Sequence, residues 1–230
     1  MSKRVSSVLA ATALATMTTA VQAGGLSANI GVTSNYIFRG VTQTLDQAAV
    51  SGGVDYNHDS GFYAGTWISN VGSGGSALYG SQGNYEQDWY AGYEFEAGGV
   101  GLDVGYILYT YPSGPGQYDY GEIYVNANWQ WLTGGLYLNI NKEDSAADTG
   151  DLYLYVSGDF EAPNGLGYGF TVGRYDFKGG SAADYSHVRL YLSKSDFTFA
   201  FEKNTTDDTV WFTGSDDYRF TVSWSKSFDL

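Results

Sequence analysis

From Leu26 onward the chain repeats with a period of two. Leu26, Ala28, Ile30, Val32 and Tyr36 fall on one face, against Ser27, Asn29, Gly31, Thr33 and Asn35 on the other. Val50, Val54 and Tyr56 oppose Ser51, Asp55 and Asn57, and Leu102, Val104, Tyr106 and Leu108 oppose Asp103 and Gly105. Leu136, Leu138 and Ile140 oppose Tyr137, Asn139 and Asn141, and Phe197, Phe199 and Phe201 oppose Thr198 and Glu202. Near the end, Tyr218, Phe220, Val222, Trp224 and Phe228 stand against Arg219, Thr221, Ser223, Ser225 and Ser227. Side chains of a strand point alternately to its two faces, so this pattern predicts a sheet with one apolar and one polar side. Strands are expected over 26–38, 47–57, 62–71, 85–96, 100–111, 119–129, 132–141, 151–160, 166–177, 185–193, 196–203 and 217–228. In 62–71 and 85–96 both phases carry apolar or aromatic residues, which leaves the facing of those two strands open.

The connections alternate in length. Segments 39–46, 72–84, 112–118, 142–150, 178–184 and 204–216 are long and rich in Gly, Ser, Asp and Thr, whereas 57–61, 97–99, 130–131, 161–165 and 194–195 are short turns. Long connections on one side, with short turns and both termini on the other, describe an up-and-down meander of the outer-membrane kind. A secreted sandwich mixes the lengths through its Greek-key crossings. Strands of about ten residues also suit a tilted bilayer crossing. In lipid the sheet must close, because an open edge leaves backbone groups unpaired at several kcal/mol each. The expectation is therefore an all-β fold: a single antiparallel, up-and-down transmembrane β-barrel of about twelve strands. Aromatics near the strand ends (Tyr36, Phe38, Tyr56, Phe62, Tyr63, Tyr109, Tyr111, Trp129, Trp131, Phe160, Tyr175, Phe177 and Phe228) are expected to form the interfacial girdles.

Composition narrows the function. The formal net charge is −14, the wrong sign for a phosphate-binding surface, so no nucleic-acid partner is expected. There is no Cys, which removes disulfides and thiolate metal sites. Thirty-two Gly argue against a helical protein. Residues 1–23 read as a secretory signal peptide: Lys3 and Arg4 lead a mildly apolar stretch that ends on Val21-Gln22-Ala23, and cleavage is expected after Ala23. The barrel is then 24–230, exported to the outer membrane of a Gram-negative cell with periplasmic termini.

Twelve tilted strands enclose a backbone radius on the order of 12 Å, half of it taken by side chains, so the lumen is narrow and suited to ions and small hydrophilic solutes unless a loop plugs it. With the polar face inward, Asp55, Asp103, Glu122, Asp159, Arg189, Glu202 and Arg219 become candidate pore-lining residues. Glu86, Asp88, Glu94 and Glu96 join them in one of the two phases of their strand. Acids outnumber bases, which favours cations. A passive channel is expected, and a closed, side-chain-filled barrel with a structural or surface-binding role is the alternative.

Little points to catalysis. His58 sits in the turn Asn57-His58-Asp59-Ser60-Gly61, and His187 lies on a strand in phase with Arg189. Ser186 and His187 are adjacent and so point to opposite faces, which forbids their hydrogen bond. The acidic pairs Glu143-Asp144, Asp207-Asp208 and Asp216-Asp217 read as solvated loop charge rather than cation ligands. No enzyme activity, cofactor or metal is expected.

The segment Ser27-Ala28-Asn29-Ile30-Gly31-Val32-Thr33-Ser34-Asn35-Tyr36-Ile37-Phe38-Arg39-Gly40-Val41-Thr42-Gln43 resembles the start of the TorF-like porin family, the Gcw_chp domain family. The resemblance continues through 48–56 and 60–71, then Tyr90-Ala91-Gly92-Tyr93, the stretch from Tyr106 to Pro112 and the closing Val222-Ser223-Trp224-Ser225-Lys226-Ser227-Phe228. It implies a porin of the Gram-negative outer membrane, with lipid, lipopolysaccharide and the barrel-assembly machinery as partners, and it carries over no substrate or catalytic residue. One departure concerns assembly: Phe228 is followed by Asp229-Leu230, so the chain does not end on the aromatic many such barrels present. Arg39, in Phe38-Arg39-Gly40, is expected at the top of the first strand. There it either faces lumen acids at the pore mouth, or anchors the first loop or a lipopolysaccharide phosphate.

Overall fold

The computed structural model describes residues 24–72, 84–112, 119–143, 149–178, 184–205 and 217–230. Its strands are β1 (Gly25–Thr33), β2 (Ile37–Phe38), β3 (Val41–Thr42), β4 (Ala49–Asn57), β5 (Phe62–Asn70), β6 (Tyr85–Ala97), β7 (Val100–Thr110), β8 (Tyr120–Trp129), β9 (Leu132–Lys142), β10 (Leu152–Glu161), β11 (Gly167–Asp176), β12 (Tyr185–Lys194), β13 (Phe197–Asn204) and β14 (Arg219–Asp229). Twelve of them close into one antiparallel barrel, each paired to its sequence neighbour and β1 paired to both β4 and β14. The remaining two, β2 and β3, pair only with each other. A transmembrane β-barrel of twelve strands is thus the fold, and the strand ends that the long connections join lie together at one end of it.

The alternation along each strand settles which side is which. Leu26, Ile30, Val50, Val54, Ile68, Val125, Leu136, Val156, Val172, Leu190 and Phe199 are all exposed on the outer face. Such a continuous apolar belt makes sense against acyl chains, where leaving it uncovered costs nothing. The two strands of open phase resolve with Trp89, Tyr93, Phe95 and Ile68 outward and Tyr63, Glu86 and Asp88 inward. The aromatic girdle is only half as expected. Tyr56, Phe62, Trp129, Trp131 and Phe228 face out near the short turns. Tyr36, Phe38, Tyr63, Tyr109, Tyr111 and Tyr175 are instead buried, and Phe177 packs against that buried cluster. These rings end in hydroxyls or meet an inserted segment, and the interior offers them partners that lipid does not.

The inner wall explains why the chain is rich in both Tyr and Gly. Five tyrosines stand directly across from a glycine on the adjacent strand: Tyr63 and Gly92, Tyr90 and Gly65, Tyr124 and Gly105, Tyr155 and Gly135, Tyr191 and Gly169. The registers give each pair as opposed residues, Tyr155 with Gly135 between β10 and β9 for example. A Cβ on any of these glycines would overlap the facing ring. Each ring therefore lies flat over its glycine, hugging the wall instead of standing up into the lumen.

Candidate functional site

The first long connection does not stay outside. The expected strand 26–38 ends at Thr33, and all ten residues from Asn35 to Thr44 are buried inside the barrel. The reason is local. Asn35 folds the chain back through its side chain: its Oδ1 accepts from the Thr42 hydroxyl (2.6 Å) and the Thr44 hydroxyl (3.1 Å), and its Nδ2 donates to Asp46 (2.7 Å). Gln43 N–H donates to the Tyr36 carbonyl (2.7 Å), and Ile37 and Phe38 pair with Thr42 and Val41. Arg39 and Gly40 make the two-residue turn, with φ of 48° and 83°. Positive φ at both central positions is the type I′ pattern. Gly40 accepts it freely and also lies against His187 where no side chain would fit. Arg39 adopts a left-handed backbone at about 1–2 kcal/mol, and what its side chain gains must exceed that.

The gain is visible at the opposite wall. Arg39 reaches Glu122 on β8 with two parallel bonds, Nη1 to Oε1 at 2.8 Å and Nη2 to Oε2 at 2.7 Å, and the two side chains are only 2% and 0% exposed. The guanidinium carbon lies 4.2 Å from the ring centre of Tyr153, 4.8 Å from those of Tyr137 and Phe38, and 5.3 Å from that of Tyr175. Tyr109 donates its hydroxyl to Glu122 Oε2 (3.1 Å). Breaking one side of such a pair costs about 3–5 kcal/mol, and stacking on desolvated rings adds about 2 kcal/mol. Other contacts spread the docking around the wall. Tyr36 and Tyr111 both donate to Glu86 at 2.7 Å, Asn204 Nδ2 donates to the Gly40 carbonyl (3.0 Å), and Phe38 meets Tyr109 edge-on at 5.7 Å. The base is tied by Asp46, which Arg219 Nε reaches at 2.7 Å.

The half of the lumen nearer the short turns is built differently. Tyr63 donates to Asp103 (2.7 Å) and touches the Tyr124 hydroxyl, and Asn126 Nδ2 donates to the other Asp103 oxygen (3.0 Å). Asp55 is held by the hydroxyl of Tyr90 and the amide of Asn29, and Asp159 by the hydroxyl of Tyr191. Asp55 and Asp103 are half-buried and Asp159 is exposed. The partners of these acids are neutral hydroxyls and amides, so their charge is solvated rather than cancelled.

The candidate residues thus fall into two groups. Arg39, Glu122, Arg189, Glu202 and Arg219 belong to ion pairs: Arg189 Nη1 lies 2.6 Å from Glu202, and Arg219 pairs with Asp46. Asp55, Asp103 and Asp159 line the more open half, with Glu94 half-buried and Glu96 exposed in the same phase. Glu86 and Asp88 face inward and are buried beside the hairpin. Arg39 does not stand at the top of the first strand: it lies at the tip of a hairpin inside the barrel, where it faces a lumen acid, Glu122, and anchors the first connection to the wall. His187 is buried with Nε2 2.9 Å from the Tyr153 hydroxyl, and His58 bonds Ser60 within its turn (2.9 Å). Asp144, Asp207, Asp208 and Asp216 lie outside the described residues. Tyr109, Tyr137, Tyr153 and Tyr175 escaped the sequence reading as site residues; the polar phase of Tyr137 on β9 was a sign of its inward facing, but not of the cluster.

Barrel, polar interior and inserted hairpin define the class: a twelve-stranded transmembrane β-barrel with an internally folded first connection. The chain belongs to the family described as "Bacterial protein of unknown function (Gcw_chp)", whose model matches residues 18–228. Among solved structures it is similar to the KdgM porin, with a TM-score of 0.55, 13% identity, and coverage of 88% of this chain and 99% of that one. It is also similar to the KdgM porin in complex with disordered oligogalacturonate, with a TM-score of 0.50, 13% identity, and coverage of 88% and 98%. At this identity the likeness concerns the fold. No curated protein matches the chain.

Proposed function

We propose that the protein is an outer-membrane, porin-like channel that passes ions and small hydrophilic solutes with a preference for cations, without catalysis or cofactor, and that its lumen is narrowed by the hairpin 35–44. The observation that carries this reading is the closed barrel whose inner face is polar and acid-rich while its outer face is apolar. The half-buried and exposed carboxylates of Asp55, Asp103 and Asp159 supply the cation bias through unneutralised charge close to the path. Residues 1–23 act as a cleaved leader, the termini and short turns face the periplasm, and the barrel-assembly machinery inserts the mature chain. Lipid covers the belt, and lipopolysaccharide lies at the long-connection end.

A second reading is favoured by one specific observation. Arg39 and Glu122 are almost wholly withdrawn from water at the hairpin tip, as in a closed barrel with a structural or surface-binding role. Planar-bilayer recording of the refolded protein separates the two. The channel reading predicts discrete conductance steps and, under a salt gradient, a reversal potential of cation-selective sign. A silent bilayer, with the protein shown to be inserted, would leave the filled barrel.

A further inference from the structure

The side chains that surround the Arg39 guanidinium belong to the barrel wall, apart from Phe38. Glu122 comes from β8, Tyr137 from β9, Tyr153 from β10 and Tyr175 from β11, and Tyr109 on β7 fixes the carboxylate. These are separate strands of one closed barrel, so the backbone that carries the cage does not belong to the hairpin. Its chemistry is specific. Two carboxylate oxygens receive two parallel N–H groups at 2.7 and 2.8 Å, and tyrosine faces at 4.2 to 5.3 Å cover the planar cation. A fork of that shape is what guanidinium presents and an ammonium does not. Recognition ends at the two terminal nitrogens, for Arg39 Nε is buried without a hydrogen-bond partner. Only the planar end of the group is read. Tyr124, over the acidic half, stacks on Tyr137 with ring centres 5.0 Å apart, so a continuous aromatic and acidic wall runs from the more open half to the cage.

We propose that this cage is a binding site for guanidinium-bearing solutes, and that Arg39 occupies it as an internal stand-in while the hairpin is docked. A solute of this class exchanges with Arg39 and frees the hairpin tip. The binding step stands by itself; only its consequence for passage rests on the channel reading. Because Arg39 is tethered at an effective concentration on the order of millimolar, a free solute competes poorly with it in the native chain and well once it is removed.

The test uses ethylguanidinium against ethylammonium, two monocations that differ in the fork. In the refolded full-length barrel carrying Arg39→Ala, ethylguanidinium is expected to raise the thermal unfolding temperature saturably, at a concentration at least about tenfold lower than in the native chain. Ethylammonium should be at least about tenfold weaker, and Arg39→Ala/Glu122→Gln should abolish the saturable response. Equal responses to the two cations, or a response that survives Glu122→Gln, would overturn the site. Should Arg39→Ala fail to fold, the native barrel decides the matter, because displacement exposes the Arg39–Gly40 bond to trypsin. Ethylguanidinium must then accelerate cleavage there and ethylammonium must not; no difference between them overturns the proposal. Conductance is scored separately: a silent bilayer sinks the channel reading and leaves the binding result standing.

Discussion

The two halves of the lumen are lined with the same residue types and reach opposite states. Near the short turns, carboxylates bond to tyrosine hydroxyls and amides, rings lie flat on glycines, and Asp55, Asp103 and Asp159 keep contact with water. Near the long connections, carboxylates meet arginines and a hairpin, and Glu122 is fully buried. The difference is not composition but what surrounds each acid. Glu122 and Glu202 are dry against arginines, and Glu86 is dry between the Tyr36 and Tyr111 hydroxyls because the hairpin covers it, whereas Asp55, Asp103 and Asp159 have no such cover. One inserted turn makes a packed core of the half of the polar interior that it enters.

The largest effect should come from removing that turn. Replacing residues 35–44 with a Gly/Ser linker is expected to raise single-channel conductance several-fold, since this wholly buried segment fills the upper half of the lumen. Conductance equal to that of the native barrel would mean that the constriction lies elsewhere. Next in size is Glu122→Gln, which leaves the Arg39 charge buried without a counter-charge at about 3–5 kcal/mol. The hairpin tip is then expected to leave the lumen. Trypsin should then cut after Arg39 in a barrel that stays folded by electrophoretic mobility, and continued protection would contradict the docking energetics. The other half is perturbed more gently. Gly135→Ala lifts the Tyr155 ring off the wall, with an expected loss of about 1–3 kcal/mol in urea unfolding and a lower conductance in the hairpin-deleted barrel. Smallest is Asp103→Asn, which removes one solvated charge. The reversal potential under a salt gradient should move toward zero while unit conductance changes little, and an unmoved potential would remove Asp103 from the ion path.

Much of the architecture was legible because a barrel strand writes its two environments into alternate positions. The run Leu102, Val104, Tyr106, Leu108 against Asp103 and Gly105 lies on β7, and Leu136, Leu138 and Ile140 against Tyr137 and Asn139 lies on β9. The connection lengths gave the order of the strands around the cylinder. The hairpin was hidden by the same rule. Tyr36 and Phe38 continue the period of Leu26 to Val32, so alternation alone extends β1 through Phe38, although the chain turns inward at Asn35. The cue was present in Ile37-Phe38-Arg39-Gly40-Val41-Thr42, two short β-prone pairs around a two-residue turn. An Arg where Asn or Gly is usual made it faint. The contrast with Gly98-Gly99, whose φ of 61° and 80° close the β6–β7 turn, shows the same backbone in its ordinary dress. The tyrosine cage was beyond reach for another reason. Tyr137, Tyr153 and Tyr175 sit on three successive strands and converge only through register, which no single strand encodes.

The chain has no cysteine, so one engineered thiol can report on the hairpin directly. Val41, on the returning arm of the hairpin, is 1% exposed, and Val41→Cys places a smaller side chain there. In the refolded full-length barrel carrying Val41→Cys, a membrane-impermeant maleimide should label the thiol only after the barrel is unfolded. If the thiol of the folded barrel instead reacts readily, residues 35–44 are not inside the barrel.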